Sequence, residues 1–205
     1  MAFSSPTARI DESDDALFYR QPRFVTHIEP TSTAAVTQLY REILPPSGAI
    51  LDLMSCWISH LPPEMSFSRV TGLGMSREEL AANPVLSDFV VQNLNRNPIL
   101  PFSDAEFDAA TICVSVQYLT NPVEVMRELE RVSKPNAPLV ITFSNRCFPT
   151  KAVAAWQATG DAGHLELVAG YLEAAGNWSQ IQKLDCTPQN AVEPLLAVVA
   201  RRIAA

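Results

Sequence analysis

The chain has 205 residues, 47% of them hydrophobic and 18% charged, which predicts one globular domain with a substantial core. Its formal net charge of -7 argues against a nucleic-acid partner held through phosphates, because that mode needs a basic face. No apolar run reaches the roughly 20 residues that cross a bilayer, and the N-terminal region carries the acidic cluster Asp11, Glu12, Asp14 and Asp15 in place of a basic-then-apolar export signal. The expectation is a cytoplasmic protein with no membrane partner.

Residues 1–15 are small, polar and acidic, and are expected to be loose. From Leu17 to Glu29 the chain is aromatic and basic without a clear period. Thr31 or Ser32 then suits the cap of a helix carrying Val36, Leu39, Tyr40 and Ile43 on one face, stopped by Pro45 and Pro46. Short apolar runs at Ala49–Met54, Ser68–Met75, Phe89–Leu94 and Phe107–Val116 read as strands. Ser76 and Glu79 have capping-box spacing at the start of a helix. Asn121-Pro122 opens another helix, with the stripe Val125, Met126, Leu129 and Val132, and Pro138–Phe143 is a fifth strand.

Strands alternating with helices predict a parallel sheet covered on both faces. The ending differs. A helix through Leu165, Val168 and Leu172 closes at Gly176, and Trp178–Asp185 and Leu195–Ile203 are then expected to pair antiparallel. The four cysteines, Cys56, Cys113, Cys147 and Cys186, are too far apart for a zinc or redox motif, so no metal is expected.

Three stretches carry a family resemblance: LPFSDAEFDA (Leu100–Ala109), CVSVQYLTNP (Cys113–Pro122) and EVMRELERVSKPNAPLVITFSN (Glu124–Asn145). Together they resemble the class I S-adenosylmethionine-dependent methyltransferases, most closely the small type 11 methyltransferase-like proteins. The phrases FYRQPRFVTHIEP, LDLMSCWISHLPPE and TFSNRCFPTKAV look like marks of a subfamily with an atypical first loop. The resemblance implies an α/β three-layer sandwich around a mostly parallel seven-stranded sheet that ends in an antiparallel pair. It also implies an N-terminal extension and candidate substrate lid at residues 1–30, ahead of a methyltransferase-like domain at 31–205.

S-adenosyl-L-methionine is the implied cofactor and a small molecule the implied substrate. Carried over position by position, the cofactor-binding candidates are Asp52, Met54, Ser55, Gly72, Gly74, Met75, Asn93, Leu94, Ser115 and Gln117. His27 and Tyr19, in the lid segment, are the candidate catalytic bases; His27 is preferred because an imidazole titrates near 6.5. His60 and His164 rank below them. Arg20, Arg23 and Arg146 together would suit an acidic substrate, but solvated loop arginines are the preferred reading. Cys147 has no neighbouring His and is rejected as a nucleophile.

The departures from the family pattern are concentrated at the donor site. The family's glycine-rich first loop is here Asp52-Leu53-Met54-Ser55-Cys56-Trp57-Ile58, with side chains in all three glycine places. Gly74 stands where a ribose-binding acid is usual, and Asn93 replaces the acid that meets the adenine amino group. A lost bond to a charged acceptor costs roughly 1.5–3 kcal/mol, or about tenfold to a hundredfold in affinity. Two readings therefore stay open: a small-molecule methyltransferase, or a methyltransferase-like binding protein that has lost its donor. A nicotinamide-dependent oxidoreductase is remote, because no G-x-G-x-x-G occurs.

Overall fold

A computed structural model describes residues 5–204. In chain order the elements are α1 (Asp15–Phe18), α2 (Pro30–Ile43), β1 (Ala49–Leu53), β2 (Arg69–Gly74), α3 (Arg77–Ala82), β3 (Asp88–Val91) and β4 (Ala109–Cys113). A 3-10 turn at Val116–Tyr118 leads to α4 (Pro122–Val132), β5 (Pro138–Phe143), α5 (Ala154–Gln157), α6 (Asp161–Ala175), β6 (Trp178–Asp185) and β7 (Leu196–Arg202). The strands form one 7-stranded sheet in the order β3-β2-β1-β4-β5-β7-β6. The five strands from β3 to β5 run parallel, and β7 lies antiparallel to both β5 and β6. The seven-stranded sandwich expected from the family resemblance is the one observed.

Alternation along each strand sorts the core onto the two faces of the sheet. Leu51, Leu53, Leu139, Ile141 and Val198 point to one face, where the α4 stripe Val125, Met126, Leu129 and Val132 and the α6 residues Val168 and Leu172 cover them. Ile50, Val70, Val140 and Val199 point to the other, against Val36, Leu39 and Tyr40 of α2. All six residues of β5 are buried, as expected of a central strand covered on both sides. Gly176 ends α6 with φ 77°, a left-handed cap that a side chain would disfavour.

Several local expectations are corrected. Helix α2 begins at Pro30 behind Glu29, so Thr31 and Ser32 lie inside it, and Glu29 makes no side-chain cap. Its carboxylate instead accepts from the Val192 amide at 3.0 Å. Asn121 holds the cap position of α4, but its amide donates to the Asn95 carbonyl at 3.4 Å. Ser76 does cap α3, accepting from the Glu79 amide at 3.3 Å. The box stays half-made, because the Glu79 carboxylate accepts from the Arg23 amide at 2.7 Å.

Two features shape the site. Residues 54–68 cross from β1 to β2 as coil, where a helix is usual for parallel strands; Pro62 and Pro63 remove the donors a helix there would need. The N-terminal segment is also tied down rather than loose. Ala8 and Pro6 accept from the Ala154 and Ala155 amides at 2.7 and 2.8 Å, and Asp11 donates to Thr150 at 2.8 Å. The looseness expected of residues 1–15 therefore fails for 5–14; residues 1–4 lie outside the described part.

Candidate functional site

The winding of the sheet reverses between β1 and β4, and in an open α/β sheet the crevice outside the strand C-termini at such a point is where ligands bind. A cavity of about 380 Å³ lies there, within the range of small-molecule sites. Its walls come from the ends of β1, β2, β3 and β4, from the N-terminal segment, and from the loop around Phe148. Tyr19, His27, Asp52, Met54, Ser55, Gly74, Met75, Asn93, Leu94 and Ser115 all line it.

Gly72 and Gln117 are not among the residues lining it. Gly72 lies deeper in β2, and a Cβ there would meet the Leu86 side chain at 2.5 Å. Gln117 is 1% exposed; its amide donates to the Val114 carbonyl at 3.1 Å and to that of Arg146 at 3.4 Å, bracing two loops.

Asp52 ends β1 beneath the cavity and is 3% exposed. Its Oδ2 accepts from Ser55 Oγ and Ser59 Oγ, both at 2.6 Å, and its Oδ1 from Thr111 Oγ1 at 3.1 Å. Burial raises the proton affinity of this carboxyl, and the three hydroxyls oppose that shift. The next residues build the unusual loop. Met54 adopts φ 57°, a left-handed conformation costing a non-glycine residue about 1 kcal/mol or more. Ser55 then folds onto β2, donating its amide to the Leu73 carbonyl at 2.8 Å. Its own carbonyl oxygen lies 2.2 Å from where a Cβ on Gly74 would stand. The missing glycines and the missing ribose acid are thus one change: the altered loop fills the slot an acidic side chain would need.

An acid is nevertheless present. Glu79, in the first turn of α3, is 6% exposed and lines the cavity beside Met75 and Ser76. The capping-box spacing hid this second role. The far wall is aromatic: Tyr118 stacks on Phe148 at 5.8 Å, and His27 stands edge-on to Phe148 at 5.8 Å. Burial lifts the Tyr19 hydroxyl well above its ordinary range, the wrong direction for a base at neutral pH. Burial, then Arg23 and Arg146, lower the His27 imidazole, which keeps it neutral and able to accept a proton.

His60 joins this group although its sequence context ranked it low. It sits at φ 53°, its carbonyl is held by Thr37 Oγ1 at 3.0 Å, and it is one of the residues lining the cavity. Burial, then His27, lower it to about 4. His60 Nδ1 and Ser115 Oγ are buried with no hydrogen-bond partner among the described residues. His164 is structural: its Nε2 meets the Trp156 carbonyl at 3.0 Å under the stacked Trp156 ring. Trp57 lies outside the cavity lining, donating to the Val25 carbonyl at 3.0 Å and resting on Phe24.

Of the three arginines weighed for an acidic substrate, Arg20 is exposed and outside the cavity lining, and the other two are engaged. Arg23 lies over the Phe18 ring at 4.3 Å and donates to the Phe18 carbonyl at 2.9 Å. Arg146 pairs with Glu193 at 3.1 Å. Arg9 and Lys151 line one end of the cavity, and both are paired with Asp15, at 2.7 and 3.3 Å. Among the described residues no cluster of His, Cys, Asp and Glu suits a metal ion, and no helix is long and apolar enough to cross a membrane.

Residues 54–141 match the Methyltransf_11 family, a methyltransferase domain. No curated protein matches the sequence. Among solved structures, a protein from Pyrococcus horikoshii OT3 is similar with a TM-score of 0.64 at 15% identity, over 91% of this chain and 98% of that one. An S-adenosylmethionine-dependent methyltransferase from Mesorhizobium loti gives 0.59 at 18% identity, over 84% and 100%. The cyclase SpnF gives 0.62 at 18% identity, over 83% and 81%. At these identities the likeness is one of fold.

Proposed function

We propose that this chain, which matches a methyltransferase domain over residues 54–141 and shares the fold of methyltransferase structures, methylates a small molecule in its cavity, with S-adenosylmethionine as donor. The observation that carries this reading is the cavity itself. It lies at the strand ends where the fold binds ligands, and its lining includes two buried carboxylates, Asp52 and Glu79.

The donor set fits the cofactor's chemistry. Asp52 and Glu79 are buried carboxylates without a cationic partner among the described residues, complementary to a sulfonium and an ammonium group. Met75 and Leu94 offer apolar walls to an adenine, and Asn93 a polar edge. With no helix directly after β1, side chains such as Asp52 and Ser55, rather than a helix N-terminus, would hold the donor's amino-acid end. The bound donor supplies an electrophilic methyl group for in-line displacement. The chain's own work is to align the acceptor, to exclude water, and to take a proton at the His27 imidazole. Tyr19 belongs to the wall and does not act as base.

Thermal unfolding with S-adenosylmethionine and S-adenosylhomocysteine tests the reading. A ligand at 100 times its Kd stabilises by about 2.7 kcal/mol, a rise in midpoint of roughly 5–10 °C for a domain of this size. An unchanged midpoint at millimolar ligand would favour a second reading, supported by the Ser55 carbonyl against Gly74: a methyltransferase-like scaffold that binds another small molecule without the donor.

A further inference from the structure

We infer that Asn83 and Ser59 are positioning residues for Asp52: a one-way chain of hydrogen bonds, from the Asn83 amide through the Ser59 hydroxyl, presents Asp52 to a ligand as a carboxylate acceptor. The use of that carboxylate for a donor's ammonium group rests on the methyl-transfer reading, whereas the chain of bonds is defined by geometry of its own. Neither Asn83 nor Ser59 lines the cavity, and they are 5% and 3% exposed, so both act through Asp52.

The direction of the chain is fixed at its far end. Asn83, at the C-cap of α3, donates its Nδ2 to the Cys56 carbonyl at 2.9 Å and accepts at Oδ1 from the Val85 amide at 3.2 Å. A carbonyl can only accept and a backbone N–H can only donate, so the side-chain amide has one possible orientation. The same Nδ2 also donates to Ser59 Oγ at 2.8 Å. The Ser59 oxygen is thereby an acceptor from Asn83, and its own proton is left for Asp52 Oδ2 at 2.6 Å. Oδ2 must therefore accept, which an ionised carboxyl does best.

Ser55 depends on Asn83 as well. Its hydroxyl has two acceptors in reach, Asp52 Oδ2 at 2.6 Å and the Cys56 carbonyl at 3.5 Å. Asn83 already satisfies that carbonyl, which leaves the Ser55 proton to Asp52. With Thr111 Oγ1 on Oδ1 at 3.1 Å, three hydroxyls favour the charged form of a side chain that burial would neutralise. The groups facing Asp52 from its neighbours supply no positive charge. Its register partners are Gly72 of β2 and Thr111 of β4. Burial pushes Cys56 up to about 11 and Cys113 of β4 up to about 12, and raises the Tyr40 hydroxyl of α2 well above its ordinary value, so all three are neutral. Glu79 of α3 shares Cys56 with Asp52 as a neighbour, and an anion there can only favour a neutral Asp52. The hydroxyl donors are what holds the charge.

The test is a carboxyl-carbon NMR titration of the full, ligand-free chain, with the Asp52 signal identified by its loss in Asp52→Asn. Ser59→Ala removes one hydroxyl, and Asn83→Ala removes the group that directs two. Each should raise the Asp52 midpoint by about one pH unit or more, the worth of one hydrogen bond to a charged group. Ser59→Thr keeps the hydroxyl and should stay within about half a unit of wild type. S-adenosylhomocysteine, titrated by calorimetry at falling pH, should bind wild type and variants within about threefold at mildly alkaline pH, and in the alanine variants its affinity should begin to fall about one pH unit higher. A generally damaged fold would instead weaken the ligand at every pH. An unchanged Asp52 midpoint in either folded alanine variant, an equal rise in Ser59→Thr, or affinity lowered equally at every pH would each overturn the positioning role. Should Asn83→Ala fail to fold, Ser59→Ala decides alone. Raised midpoints with no binding of S-adenosylhomocysteine to the wild type at millimolar concentration would leave the chain of bonds standing and remove the methyl-transfer reading.

Discussion

Replacing Lys151 by methionine is expected to destabilise the protein by about 3 kcal/mol, the lower end for breaking a buried charge pair. Lys151 is 1% exposed. Its ammonium donates to the Ser13 carbonyl at 2.8 Å and pairs with Asp11 at 3.1 Å and Asp15 at 3.3 Å. Asp15 is itself buried and would keep only Arg9, at 2.7 Å, and the Asn95 amide, at 2.9 Å. That residual pairing is why the loss falls at the low end. The damage should concentrate where residues 5–14 lie on the body, so the Asp11, Ala154 and Ala155 amides, bonded across that junction, should lose protection from hydrogen exchange first. Urea unfolding gives the magnitude and exchange the location. An unchanged midpoint with full protection at Ala154 and Ala155 would mean that the segment is held by other contacts.

Gly74→Asp should fail to repair the donor site. If the site simply lacked its ribose carboxylate, this substitution would tighten S-adenosylhomocysteine about tenfold to a hundredfold. The structure predicts the reverse. A Cβ at Gly74 would stand 2.2 Å from the Ser55 carbonyl oxygen and 3.2 Å from its carbon, both backbone atoms that cannot swing aside. Overpacking of this kind costs about 3 kcal/mol. Because Ser55 also anchors to Asp52, at 2.6 Å, the displaced loop should weaken the ligand as well. Gly74→Ala, with the same Cβ and no charge, should lose similar stability. A stable Gly74→Asp protein with tighter binding would contradict this account of the loop.

The parts of the fold that were legible in the sequence are those whose signal is local. Strand β5 and helix α4 stand out because one is a short apolar run behind a proline and the other a stripe at helical spacing. The paired ending followed from two strand-like runs joined by a loop. The N-terminal segment was misread because its composition is that of a loose tail, whereas its anchor, Lys151, lies some 140 positions away. Nothing in Pro149-Thr150-Lys151 announces a buried ammonium.

Asp52, Met75, Asn93 and Ser115 line the cavity, and that placement was legible because each ends or follows a strand. Gly72 and Gln117 sit close by in sequence yet face the core, a distinction set by packing. Glu79 was visible only as a helix cap, and His60 as a loop residue before two prolines. The left-handed backbone at His60 has no mark in the sequence. A histidine at a left-handed position cannot be told from one in an extended loop without coordinates.

The most direct test of the account is a calorimetric titration of S-adenosylhomocysteine into the wild-type chain and into Met75→Trp, which places a large ring in the cavity. The account predicts saturable one-to-one binding to the wild type and its loss, by at least about a hundredfold, in the substituted but folded protein. Absence of binding to the wild type at millimolar ligand, or equal binding to both proteins, would contradict the claim that this cavity holds the methyl donor.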